Sequence, residues 1–221
     1  MEHIRLNIFT NCRKDSDINI IKGTYDSFVG TFGTLPLTIY VDPNPNTKHF
    51  PRYLRELQRF DAEVIQTKSL SDGYVKSLKS KEDYLFQLEH DWNFQNINHS
   101  LEELISLMER DDLSYLRFGS RENLQTPHME NYQTLLREKE SLGIHYCETD
   151  NISNNPHIIN KKKHIKKIVG KIEVRTSSFG MEEFLSKRGI IGAIYGGLGY
   201  PPTIKHTTNI TNKANIKNER I

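Results

Sequence analysis

The exchange of short apolar runs with amphipathic ones between residues 4 and 88 is what most narrows the folds open to this chain. "IRLNIFT" (4–10) has the branched and aromatic character of a strand. The next run, "INIIKGTYDSFVGTF", places Ile18, Ile21, Tyr25, Phe28 and Val29 at three- and four-residue steps, one face of a helix. "LPLTIYVD" (35–42) is a second strand, closed by "PNPN", whose prolines cannot continue a ladder. A helix at "HFPRYLRELQRF", a strand at "AEVIQT" (62–67), a polar loop and a strand at "DYLFQL" (83–88) complete the series. This β-α-β-α-β-loop-β order predicts an α/β fold: a mostly parallel central sheet covered by helices, a Rossmann-like three-layer sandwich. Ligands in such sheets sit beyond the carboxyl ends of the strands. Thr10, Asn11, Asp42 and Glu89–Asp91 gather at that end.

The second half is less regular. "SLEELISLMERDD" (100–112) is a helix with Ser100 and Glu103 at capping-box spacing. "LSYLRFG" (113–119) and "GIHYCET" read as strands, with a helix expected near 129–141 between them. "DNISNNPHIIN" is too rich in Asn and Pro for regular structure, "KIEVRT" reads as strand and "GMEEFLSKRG" as a short helix. The glycine-rich "YGGLGYPP" (195–202) has the freedom of a lid but neither a dinucleotide-binding nor a P-loop pattern. The basic run "KKKHIKK" (161–167) reads as a solvated helix face, or as a contact for donor phosphates, an acidic glycan or lipid headgroups.

Composition excludes several classes. A net charge of +2 over 221 residues marks no general nucleic-acid binder. Cys12 and Cys147 stand far apart, as reduced thiols of a cytoplasmic protein would. The amino terminus opens as a strand rather than a secretion signal, and no apolar run is long enough to span a bilayer. The Asn-x-Ser/Thr triplets at Asn98, Asn151 and Asn209 read as chance in an Asn-rich chain. The Asn/Lys/Ile bias is that of an AT-rich genome, viral or bacterial, which for a virus means the host cytoplasm.

Glu89 and Asp91 flank His90 at the end of an apolar strand. Alternate residues of a strand share a face, so the two carboxylates can project together. Such a pair suits a hard cation, Mn²⁺ or Mg²⁺, that keeps open positions for phosphates. A polar surface turn explains the triplet as well.

The motif order resembles that of the nucleotide-sugar-dependent glycosyltransferases of the GT-A fold, family-2-like, across most of residues 4–206. "FTNCR" (9–13) matches the polar loop after the first strand, bringing Thr10, Asn11 and Arg13 to the nucleotide. Asp42 matches the acidic residue that holds the nucleoside. "SDGYVKS" matches the glycine-containing segment before the metal motif, with Gly73 and Tyr74 toward the nucleotide. Glu89-His90-Asp91 stands where that family has Asp-x-Asp; the resemblance implies that Asp91 binds the metal and Glu89 the ribose or a metal-bound water. Glu183 in "FGMEEFLSKRG" occupies the position of the catalytic base of inverting members, with Glu182 the alternative, and His206 that of a late metal ligand. Trp92, Asn155 and Pro156 fall toward the acceptor.

The resemblance implies one catalytic domain over 1–206, with a nucleotide half (about 1–92), an acceptor half (about 93–206) and a flexible tail at 207–221. It implies a hexosyl- or deoxyhexosyltransferase of polysaccharide biosynthesis, acting from a UDP-, GDP- or dTDP-sugar donor to a hydroxyl acceptor, a glycan or another. Two other readings stay open: a sugar nucleotidyltransferase, and a non-catalytic glycan- or nucleotide-binding protein of the same fold.

Overall fold

Eight residues of strand β1 (Ile4–Asn11) organise the rest of the sheet, because both of its edges are paired in parallel. The computed structural model describes residues 3–11, 17–42, 48–124, 136–149, 153–163 and 192–207. On one side of β1 lie β2 (Leu37–Asp42) and then β3 (Glu63–Gln66); on the other lies β4 (Tyr84–Glu89). Helices α1 (Asp17–Phe32), α2 (Phe50–Leu57) and α3 (Leu70–Ser77) connect them. Beyond β4 the sheet continues through β9 (His157–Asn160), β6 (Tyr115–Arg117), β10 (Gly192–Tyr195), β8 (Ile144–Thr149) and β7 (Arg137–Ser141), nine strands among the described residues. Only β8 and β9 run against the others, so the sheet is mostly parallel. A separate ribbon pairs β5 (Trp92–Phe94) with β11 (Ile204–His206).

Strand alternation divides the core. Ile4, Leu6 and Ile8 face a large cluster with Ile21 and Phe28 of α1, Leu57 of α2, and Leu104 and Leu107 of α4 (Leu101–Arg110). Phe9 and Leu85 point to the other face, where Tyr40, Tyr74, Leu78 and Tyr115 gather beneath α3. Each fully buried Leu or Phe contributes about 1.5–3 kcal/mol. Phe94 wedges among Phe28, Phe32, Phe86 and Phe118, at centroid distances of 5.3–5.9 Å. That anchor ties the ribbon, and the turn before it, to the main core.

Several expectations need correction. The polar loop expected before β4 contains α3. Ser69 caps it, accepting from Asp72 N at 3.2 Å, and Asp72 pairs with Lys76 at 2.9 Å. The helix expected near 129–141 is, at 137–141, strand β7; residues 129–135 lie outside the described residues. Leu142 and Gly143 both have positive φ (55° and 75°), as a two-residue hairpin turn requires, and that turn folds β7 onto β8. The "DNISNNPHIIN" segment ends in a true strand, β9, whose four residues are all buried between β4 and β6. Two flanking ladders outweigh its poor local composition. The glycine-rich passage begins as β10, and its turn is fastened by Asn123, whose Nδ2 donates to Tyr195 O and Gly196 O at 3.1 and 2.9 Å.

The first lysines of the basic run sit at the amino edge of the sheet. Lys162 pairs with Asp83 at 3.0 Å, Lys163 with Asp112 at 2.5 Å, and Lys161 donates to Ser80 O. They face away from the strand ends where phosphates were expected. "KIEVRT", "GMEEFLSKRG", Cys12 and residues 208–221 lie outside the described residues.

Candidate active site

The carboxyl ends of β1, β2 and β4 do meet along one edge. Asn11 and Asp42 are direct neighbours in the β1–β2 ladder, and Phe9 lies beside Glu89 in the β1–β4 ladder. Thr10 is buried and its hydroxyl bonds Tyr53 of α2 at 2.5 Å. Burial raises the Asp42 carboxyl above its ordinary value, so a hydrogen-bond donor would be well received there. Arg13, Glu182 and Glu183 lie outside the described residues.

Gly73 and Tyr74 are buried rather than presented at the edge. A Cβ on Gly73 would meet Tyr40 Cβ and the Phe9 ring, each at 3.2 Å. Glycine thus lets α3 lie directly on β1 and β2. Tyr74 stacks on Phe9 at 6.2 Å, and burial holds its phenol well above the ordinary range.

Beyond Glu89 the ladder stops and the chain turns, so simple alternation does not carry Asp91 onto Glu89's side. The turn is held from both sides. His90 N donates to Phe9 O (3.0 Å) and Thr24 Oγ1 donates to His90 O (2.6 Å). Thr207 N and Oγ1 donate to Asp91 O (2.7 and 3.0 Å). Glu89 lines a small cavity with Tyr74 and His157 on the α3 face. Asp91 instead pairs with His206, Oδ2 to Nε2 at 3.1 Å. The His206 ring stands edge-on to Trp92 at 4.7 Å, across the β5–β11 ladder. Trp92 itself belongs to the core, at 8% exposure.

Asn155 and Pro156 lie at the same edge, because β9 enters the sheet there. Pro156 O accepts from Phe118 N at 2.9 Å, and Asn155 O accepts from His157 Nδ1 at 2.7 Å. That bond leaves His157 Nε2 as the acceptor, and it is buried without a donor among the described residues. Burial drives the His157 pKa down to about 4. Sequence reasoning missed this residue: a single histidine inside an Asn- and Pro-rich segment carries no spacing to mark it.

No family model matches the chain, and no curated protein matches it in sequence. Solved structures do. CMP:2-keto-3-deoxy-manno-octonic acid synthetase, complexed with CTP, superposes with a TM-score of 0.57 at 13% identity, over 99% of both chains. GalNAc-T7, with UDP, GalNAc and Mn²⁺, gives a TM-score of 0.61 at 10% identity over 93% of this chain. TarS of S. aureus gives 0.55 at 9% identity over the same share. This is a GT-A-type fold. The chain spans 44% of the GalNAc-T7 chain and 60% of the TarS chain.

At the turn after β4, the donor chemistry of Asp91 and His206 fits a hard cation in part. Asp91 Oδ1 is buried and finds no hydrogen-bond donor among the described residues, while Oδ2 is already aimed at an imidazole nitrogen. A buried carboxylate oxygen without a donor is costly, and a cation would satisfy it. Glu89 does not join this pair: among the described residues no group of three acidic, histidine or cysteine side chains converges. An ion held here would rest on Asp91 and His206, with its other positions left to substrate oxygens and water. No helix among the described residues is long and apolar enough to cross a membrane.

Proposed function

We propose that the chain is a metal-dependent glycosyltransferase that moves a sugar from a nucleoside-diphosphate sugar to a hydroxyl of a glycan or other acceptor, with inversion. The observation that carries this reading is the Asp91–His206 pair at the carboxyl edge of a GT-A-type sheet, with one carboxylate oxygen that has no donor among the described residues. Mn²⁺ or Mg²⁺ held there would act as a Lewis acid on the diphosphate. Asn11 and Asp42 bind the nucleoside, and Thr10, locked to Tyr53, fixes the strand tip that presents them. The turn bonds from Thr24 and Thr207 hold Asp91 in place, so little reorganisation is needed when charge develops.

Glu183, or Glu182 in its place, removes the acceptor proton as the new bond forms. The connection from β9 to β10 leaves and re-enters the sheet at the amino edge. This role therefore requires that the connection carry Glu183 across to the carboxyl edge.

Isothermal titration with UDP, GDP and dTDP, with and without Mn²⁺, tests the reading. Metal-dependent affinity for one of them is expected; equal or absent affinity in all cases overturns it. A second reading, a sugar nucleotidyltransferase, is favoured by one observation: the CMP:2-keto-3-deoxy-manno-octonic acid synthetase match covers 99% of both chains. Pyrophosphate release from a nucleoside triphosphate and a sugar substrate would establish it instead.

A further inference from the structure

A cavity of about 300 Å³ opens between the turn after β10 and the β7–β8 hairpin, outside the site described above. That volume is at the lower end of the range for small-molecule sites. Its walls combine an aromatic ring, Tyr200, an exposed aliphatic side chain, Leu198, and polar groups from Asn98, His99, Glu138 and His145. Saccharides present both apolar C–H faces and hydroxyls that donate and accept, so this mixture suits them. Among the described residues lining the cavity there is no lysine or arginine, while Glu138 supplies a carboxylate. Glu138 would repel an acidic sugar, with no lysine or arginine in the lining to offset it; a neutral sugar meets no such repulsion.

The site is built rather than incidental. Glu138 leans directly over Gly197, where a Cβ would come within 2.1 Å of its Oε1, so only glycine admits the carboxylate at that place. His145 Nδ1 lies 3.5 Å from the same oxygen. One side of the Tyr200 ring rests on Gly196, where a Cβ would sit 2.4 Å from the ring. The Tyr200 hydroxyl donates to Asn96 O at 3.0 Å, which fixes the ring's orientation. Tyr195 OH, which accepts from Asn98 N at 3.3 Å, bonds His99 Nδ1 at 2.6 Å.

The cavity and Asp91 lie along one edge of the sheet, joined by the segments that flank the β5–β11 ribbon. Asp91 follows the end of β4, and the cavity sits at the end of β10, three places along the strand order. That separation is about 14 Å at ordinary inter-strand spacing. We propose that this cavity is a subsite for a neutral sugar residue of an oligosaccharide acceptor, distant from the residue that receives the transferred sugar. The proposal rests on the glycosyltransferase reading for its role, though not for the binding itself.

The test is an amide-resolved NMR titration of the full chain, without nucleotide or metal, against trisaccharides of glucose, galactose, N-acetylglucosamine and galacturonic acid. At least one neutral trisaccharide is expected to shift the amide signals of Gly196–Gly199 and His145. Tyr200→Ala removes a stacking face and Gly197→Ala displaces the Glu138 carboxylate, a flexible group that can move without unfolding the hairpin. Each is expected to weaken binding about tenfold. No shift at these amides with any neutral trisaccharide, equal or tighter binding of the galacturonic acid trisaccharide, or wild-type affinity in both variants would overturn the proposal. If the saccharide binds but metal-dependent nucleotide affinity is absent, the subsite stands and the transferase reading falls; the reverse result removes the subsite alone.

Discussion

The two sides of the β4 tip solve different problems with similar residues. On one side, Asp91 and His206 meet at 3.1 Å, with side-chain exposures of 14% and 31%, and one carboxylate oxygen has no donor among the described residues. On the other, Glu89 overlooks a cavity of about 10 Å³, room for the centre of one water molecule, walled by Phe9, Tyr74 and a fully buried His157. The first side keeps a carboxylate with one buried oxygen lacking a donor among the described residues, beside a partly exposed imidazole. The second buries an imidazole and so favours its neutral form. A cation therefore has a place beside Asp91, and burial rather than charge governs the region around His157.

The largest expected effect falls on the Asp91 side. Asp91→Ala should lower metal-dependent sugar-nucleotide turnover by about a hundredfold or more, measured as released nucleoside diphosphate. Glu89→Gln should cost turnover less than that and leave the dependence on Mn²⁺ in place. Equal losses in both variants would erase the distinction between the two sides.

Next comes acid sensitivity. His157 titrates near 4 in the fold against 6.5 when free, so between those values the unfolded chain binds a proton that the folded one refuses. Stability is full above about 6.5 and falls as pH drops through this window, by on the order of 3 kcal/mol. Urea unfolding on either side of the window should show it, and His157→Gln should flatten that acid limb. An unchanged limb would mean that other groups set it.

Smaller effects probe the packing beneath α3. Gly73→Ala gains helix propensity but presses a methyl against the Phe9 ring and Tyr40 Cβ, an atom that moves only with strand β2, for a net loss of about 1 kcal/mol. Ser69→Ala, which removes the cap of the same helix, should cost a similar or smaller amount, about 1 kcal/mol at most. Thermal unfolding reads both, and neither should alter Mn²⁺ dependence.

The amino-terminal half was legible because its strands are buried on both faces and read as continuous apolar runs, as in "LTIYVD" and "YLFQLE". The Ser100–Glu103 capping box was equally plain, and both of its bonds form, at 2.6 and 3.3 Å. The carboxyl half hid its elements for physical reasons. Strand β7, "REKES", is an almost wholly exposed edge strand with no apolar alternation to betray it. Strand β9 is four residues held by neighbours on both sides rather than by its own propensity. At the site, the acidic tip of β4 could be read from spacing. The divergence of Glu89 from Asp91 could not, since it depends on a turn fixed by Thr24 and Thr207, far away in sequence.

The placing of antiparallel strand β9 between β4 and β6 has a further consequence. Strands β4 and β6 have no ladder with each other; each pairs with residues 157–160 and waits for them. During synthesis, the parallel half can assemble early while one flank of β4 stays bare until that late segment arrives. Such non-local closure slows folding and leaves an open, sticky flank in the interval. A chain ending before His157 would keep that flank for good, and should aggregate rather than persist as a stable half-molecule.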